Sequence, residues 1–145
     1  MTMIVQGGEY VFEKRPDNLD AGAAGKLAAY GGQIEWGELA DEAAVREAGE
    51  ETNLKLSPQS LRYLGRICVW SDKNQKPVEV HAHAFEVMLP YDIEVRQKGK
   101  AGESTRLSYP EVIDQLDSFS PATLATLKTV YLNPDHEEKH GFIDN

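Results

Sequence analysis

The segment Arg46-Glu47-Ala48-Gly49-Glu50-Glu51 limits what this chain can fold into more than any other stretch. As a helix it gathers three carboxylates on one side, because residues three and four apart are neighbours there. Each like-charged pair at that spacing costs about 0.2–0.5 kcal/mol. Near a helix C-terminus the macrodipole adds roughly 0.3–1 kcal/mol against each anion. A cation relieves both penalties, so the pattern points to a divalent-metal site.

Projecting Leu39 to Thr52 on a helical wheel sharpens the point. Ala40, Ala43 and Ala44 share an arc with Glu47 and Glu51, and Glu50 lies at its edge. Small apolar residues suit close approach to a sheet, so the carboxylates continue an inward-facing stripe. Charged residues are almost never buried without a partner, which makes a purely solvated face the weaker reading. No His or Cys lies close in sequence, and an all-oxygen donor set favours Mg²⁺ or Mn²⁺ over Zn²⁺. A metal held this way can neutralise a pyrophosphate and activate a water. The chemistry implied is hydrolysis of a phosphoanhydride.

Around this stretch the chain reads as one layered domain over residues 1–145. Met3 to Gln6 and Glu9 to Lys14 flank Gly7-Gly8, a hairpin signature. Arg15 to Gly25 is a long irregular loop, and Lys26 to Tyr30 a short strand. The helix is expected from Glu38 or Leu39 to Thr52, closed by a left-handed Asn53. Leu61 to Trp70 and Val78 to Leu89 read as strands joined by the polar loop Ser71 to Pro77. A strand over Ser104 to Tyr109 and a helix over Glu111 to Leu116 follow. Ser120-Pro121 starts a last helix to Tyr131, and 132–145 is a polar tail expected to be flexible. Strands mixed with two substantial helices give an α/β or α+β class.

Composition narrows the partners. The net charge of -9 argues against broad binding to nucleic acid or an anionic membrane. It leaves room for an anionic small molecule, since bound metal reverses the local field. No apolar run approaches the ~18 residues that span a bilayer, and Met1 to Tyr10 lacks the pattern of a signal peptide. Cys68 is the only cysteine, which excludes internal disulfides and fits a reducing cytoplasm. It is expected to be a buried small hydrophobe.

The stretch has a family likeness. Gly32-x5-Glu38-x7-Arg46-Glu47-Ala48-x-Glu50-Glu51-x-Asn53-Leu54 resembles the Nudix box, Gly-x5-Glu-x7-Arg-Glu-U-x-Glu-Glu-x-Gly-U, where U is a bulky aliphatic. Every charged position agrees in spacing. Ala48 departs from the bulky aliphatic, Asn53 from glycine, and Tyr30 stands where proline commonly precedes the Gly pair. The resemblance implies an α/β/α sandwich with a mixed, mostly antiparallel central sheet. It implies metal ligation by Glu47, Glu50, Glu51 and the carbonyl of Gly31, with Glu47 sometimes cast as general base. Arg46 and Glu38 match positions that orient the helix and its loop. Glu35 fills a common acidic position in that loop.

Many members of the family add an acidic residue from a later loop, and Glu103 is similar in placement, with Glu79 and Asp92 as rivals. A base must lie within hydrogen-bond reach of its water, which spacing alone does not establish. Arg15 matches a region where basic residues contact phosphate. His81 and His83 share one face of their strand and suit contact with the substrate; as a zinc site their spacing is a weak signal. Tyr30 and Trp70 are aromatics able to stack on a base, though strand aromatics are more often core.

Two functional classes follow. The first is a Mg²⁺- or Mn²⁺-dependent Nudix pyrophosphohydrolase, a monomer or homodimer acting on a nucleotide-type small molecule, with nucleoside triphosphates ahead of ADP-ribose and nucleotide sugars. The second is a nucleotide-sensing Nudix module without catalysis, whose signature is a lost box glutamate. None is lost here.

Overall fold

Alternation of apolar residues decides which way each strand of the first hairpin faces. In the computed structural model, which describes residues 1–17, 24–73, 75–98 and 102–133, β1 (Thr2–Gln6) and β2 (Glu9–Lys14) pair antiparallel across Gly7 and Gly8. Both glycines have positive φ, 61° and 76°, as the turn of such a hairpin requires. Tyr10 and Phe12 point to one side of the sheet and Val11 to the other.

The sheet is mixed. β3 (Leu27–Ala28) pairs with the end of β2, and β6 (Glu103–Leu107) runs along the opposite edge of β2. β4 (Arg62–Lys73) and β5 (Lys76–Leu89) form a long antiparallel hairpin. Among the described residues, β1 and β5 are its one parallel strand pair. The path is β3-β2-β1-β5-β4 with β6 beside β2. The expected loop from Ser71 to Pro77 is largely absorbed into the two strands: Ser71 pairs with Val78 and Asp72 with Pro77. Gln75 takes the left-handed turn conformation, φ 62°.

Each face of the sheet carries its own core. One packs Met3, Val5, Tyr10, Phe12, Leu107 and Phe119 with the C-terminal helices; the other gathers Ile4, Val11, Tyr30, Leu54, Val87 and Val95 beneath the central helix. Burial of each large side chain contributes about 1.5–3 kcal/mol. The result is the expected α/β/α sandwich. A buried carboxylate, Glu86, crosses into the first core. One of its oxygens accepts from the Arg62 guanidinium at 2.7 Å and the other from the Tyr131 hydroxyl at 2.6 Å.

The central helix, α1, spans Ala40–Glu51 and buries Ala43, Ala44 and Ala48. Its start agrees with the sequence: Leu39 is the N-cap residue, and Glu42 reaches back to the Leu39 amide at 2.9 Å. Its end does not. Asn53 is not left-handed, since Gln75 is the one non-glycine at positive φ among the described residues. Segment 94–98 closes the helix instead. Lys98 donates its amide to the Glu51 carbonyl at 2.8 Å and its ammonium to the Gly49 carbonyl at 3.1 Å. The Asn53 side chain grips the same segment through the Glu94 carbonyl and the Arg96 amide. A cation therefore sits on the negative end of the helix.

Two short helices, α2 (Tyr109–Asp114) and α3 (Pro121–Thr126), cover the opposite face, and α3 widens into a π-helical turn through Leu127–Tyr131. α2 begins two residues before the sequence expectation because Ser108 and Glu111 cap it reciprocally. Ser120 precedes α3 as expected, but its hydroxyl donates to Thr123 Oγ1 and caps no amide. The tail beyond Asn133 and most of the loop between Asp17 and Ala24 lie outside the described residues. Among the described residues, no helix is long and apolar enough to cross a membrane.

Candidate active site

Gly31 and Gly32 bring the chain from β3 across the end of β1 to the inner side of α1. Tyr30 is fully buried and its carbonyl accepts the Thr2 amide at 2.7 Å. It is core, not a stacking surface. The Gly31 amide donates to Glu51 Oε2 at 3.0 Å. A Cβ on Gly32 would lie 2.3 Å from Glu47 Oε1, so the Glu47 carboxylate rests directly on the bare backbone. A side chain at this position would displace the Glu47 carboxylate.

The loop from Gly31 to Glu38 is held from the other side by Arg46. Its guanidinium donates to both oxygens of Glu38, at 2.7 and 3.1 Å, and to the Gln33 carbonyl at 2.9 Å. Nη1 also reaches Glu47 Oε1 at 2.8 Å and Glu50 Oε2 at 3.3 Å. Glu38 in turn accepts the Glu35 amide, so Glu35 enters this network through its backbone. The guanidinium holds the Glu38 carboxyl below the usual glutamate range. Trp36, in the same loop, is fully exposed.

Glu47 and Glu51 lie on the inner side of α1, while the Glu50 side chain is 59% exposed and meets the others through Arg46. Glu51 is half-buried, and burial raises its pKa from the ordinary 4.5 to about 7, with Glu13 and Glu47 adding to the rise. Glu13 is the partner that the sequence reading missed. It follows Val11 by two residues on β2 and therefore shares the face beneath α1. It is 4% exposed, and burial raises its pKa while Arg15 and Gln97 oppose the rise. Gln97 donates to Glu13 Oε1 at 3.3 Å, bridging the segment that closes α1 to the end of β2.

Two polar atoms at this cluster are buried without a hydrogen-bond partner, Arg15 Nε and Gln97 Oε1. Buried polar groups are normally satisfied, and an unsatisfied donor and acceptor beside several carboxylates suit an anion and a cation respectively. The donor set of Glu13, Glu47, Glu50 and Glu51 is all oxygen and fits a hard dication. The amino group of Met1 approaches as well, donating to the His83 carbonyl at 2.9 Å; burial lowers its pKa, and Glu47 and Glu51 oppose that fall.

A cavity of about 620 Å³ opens beside this cluster, between the Gly31 loop, α1 and β5. It brings together Arg15, Gly31, Glu47, His81 and His83. Glu50, Glu51 and Glu103 do not line it. Glu103 is exposed and pairs with Lys14 on the edge of β2. Its neighbour Ser104 pairs with Glu13, so strand alternation sends Glu103 to the opposite face of the sheet. The inward carboxylate at this edge is Glu13. Asp92 is exposed in the turn after β5. His83 meets the Tyr63 hydroxyl through Nδ1 at 3.0 Å. His81 meets Glu79 and Cys68. Cys68 is exposed on β4, contrary to the expectation of a buried hydrophobe, because its strand face carries polar residues and not a core.

The family model for the NUDIX domain matches residues 3–133. No curated protein matches the chain by sequence. Among solved structures it is similar to a MutT protein from Methanosarcina mazei Go1, with TM-score 0.70 and 19% identity over 88% of this chain and 86% of that one. A MutT NUDIX hydrolase from Burkholderia pseudomallei gives TM-score 0.66 and 21% identity over 89% and 93% of the two chains. A bifunctional NMN adenylyltransferase/ADP ribose pyrophosphatase from Francisella tularensis, complexed with AMP and Mn ion, gives TM-score 0.67 and 15% identity; the match covers 88% of this chain and 38% of that one.

Proposed function

The chain belongs to the Nudix family, and from that premise we propose that it is a Mg²⁺- or Mn²⁺-dependent pyrophosphohydrolase of nucleoside triphosphate-type substrates. The observation that carries this reading is the packing of Glu47 and Glu51 against the backbone of Gly31 and Gly32. It commits two carboxylates to the inner side of α1, and burial makes the charge of Glu51 costly until a cation relieves it.

Glu47, Glu50, Glu51 and the Gly31 carbonyl are the proposed ligands. A dication bound there would polarise the diphosphate and lower the pKa of a water. The residues of the chain do the rest. Arg46 keeps Glu47 and Glu50 in place and fixes the loop through Glu38; it is a positioning residue. Glu47, which lines the cavity, accepts the proton of the attacking water in this reading. Arg15 faces the phosphates, with its partnerless Nε available to an anionic oxygen. His81 and His83 line the same cavity and, in this reading, contact the substrate. Glu103 has no such placement in this reading.

A triphosphate-type substrate suits a compact single-domain chain, and the two MutT proteins share this fold over most of their length. ADP-ribose is the second reading, favoured by the name of the Francisella relative. Product analysis over a nucleotide panel, with and without Mg²⁺, discriminates between them: a triphosphate yields a monophosphate and pyrophosphate, ADP-ribose yields AMP and ribose 5-phosphate. Replacing Glu50 with Gln is expected to lower metal-dependent turnover by about two orders of magnitude or more, with circular dichroism unchanged. Undiminished turnover would refute the metal assignment.

A further inference from the structure

Outside the carboxylate cluster, one further group of potential ligands converges. On the β4–β5 hairpin Cys68 pairs with His81 and Trp70 with Glu79, so all four side chains share a face. Cys68 Sγ donates to Glu79 Oε1 at 3.0 Å and lies 3.8 Å from His81 Nε2, and that nitrogen lies 3.1 Å from Glu79 Oε1. Among the described residues these are the three whose ligand atoms all lie within 4.8 Å of one another. We propose that Cys68, Glu79 and His81 form a three-ligand site for a zinc-class dication, distinct from the Mg²⁺ or Mn²⁺ site at α1.

The argument is one of donor type and distance. Zinc takes thiolate, imidazole and carboxylate at about 2.3, 2.0–2.1 and 2.0–2.2 Å in a tetrahedral shell. Tetrahedral angles then place the three ligand atoms about 3.3–3.6 Å apart. The observed edges of 3.0, 3.1 and 3.8 Å differ from that range by a few tenths of an ångström. Rotation of exposed side chains covers such a gap without moving the backbone, and the antiparallel pairing holds the Cα atoms of Cys68 and His81 in register. A sulfur–nitrogen–oxygen set is the wrong chemistry for Mg²⁺ and the right one for zinc, whereas the all-oxygen cluster at α1 has the reverse preference.

Binding releases the thiol proton to solvent and leaves a metal thiolate. The fourth tetrahedral position goes to water or to an outside ligand. Because Glu79 and His81 also line the cavity, a molecule held there can supply it.

Co²⁺ serves as a spectroscopic stand-in for zinc. Titrating the reduced full chain with Co²⁺ is expected to produce a sulfur-to-cobalt charge-transfer band at one equivalent, lost on adding Zn²⁺. Cys68→Ser is expected to abolish the band and weaken Zn²⁺ binding, read by competition with a chromogenic chelator, by at least about tenfold. Glu79→Gln is expected to weaken binding to a smaller degree. Both positions are exposed, and equal melting temperatures check the fold. Glu50→Gln is expected to leave the band intact, which separates this site from the one at α1. Absence of a thiolate band in the wild-type chain, or equal Zn²⁺ affinity in Cys68→Ser, would overturn the proposal.

Discussion

Arg46 and Glu38 meet at two points, Nε to Oε1 at 2.7 Å and Nη2 to Oε2 at 3.1 Å, across the eight residues separating loop from helix. The same guanidinium still reaches the Gln33 carbonyl and Glu47. Only a planar fork can serve these partners at once. Arg46→Lys keeps the charge and loses the fork. It is expected to lower the midpoint of denaturant unfolding and to lower kcat about 10–100-fold. A variant with wild-type kcat would remove Arg46 from the positioning role.

Gly32→Ala tests the contact between backbone and carboxylate. The added methyl would stand 2.3 Å from Glu47 Oε1 and 2.5 Å from its carboxyl carbon. The side chain of Glu47 must move, because the backbone is tied down on both sides by Gly31 and Arg46. Turnover is expected to fall at least about tenfold with secondary structure intact. Steady-state kinetics beside circular dichroism checks both halves.

Glu51 makes stability depend on pH. Its pKa is about 7 in the folded chain against an ordinary 4.5, so between those values the folded state holds more protons than the unfolded state. Stability is then greatest at the acid end and is lost as pH rises towards and through 7. Glu13 acts in the same direction. The melting temperature of metal-free protein is expected to fall from pH 5 to pH 7.5, and Glu51→Gln to flatten that fall. At pH 7.5 the variant is expected to be more stable by about 1 kcal/mol while losing metal-dependent turnover. A steeper pH dependence in the variant would contradict the buried-charge account.

Tyr131→Phe probes the far side of the sheet. It removes the 2.6 Å hydrogen bond to Glu86 Oε2 and leaves a carboxylate that is 3% exposed short of a donor. A cost of about 1–3 kcal/mol is expected, seen as a lower urea midpoint with kcat and KM unchanged.

Much of this was readable because it is local. The Gly7-Gly8 hairpin, the start of α1 and the inward turn of Glu47 each follow from residues within a few positions of one another. The unread parts depend on distant partners. Glu13 reads as an ordinary strand-end carboxylate until Gln97 and α1 are packed over it. Asn53 suits a left-handed cap by composition, but segment 94–98 supplies the closure and turns its side chain to another task. Glu103 matches the family only by its position in a late loop, and strand parity carries it to the other face. Cys68 looked like core because most apolar-flanked cysteines are; the register with His81 gives it polar neighbours instead.

The chain has two tryptophans, and the fold assigns one to each candidate metal centre. Trp36 projects from the loop that Arg46 clamps, and Trp70 stands across the strand pair from Glu79. Both are exposed, so their emission responds to what happens nearby and not to the core. The molecule thus carries its own pair of optical reporters. In Trp36→Phe the remaining fluorescence monitors the hairpin, and in Trp70→Phe it monitors the loop, so loading of the two centres can be followed separately, one variant for each.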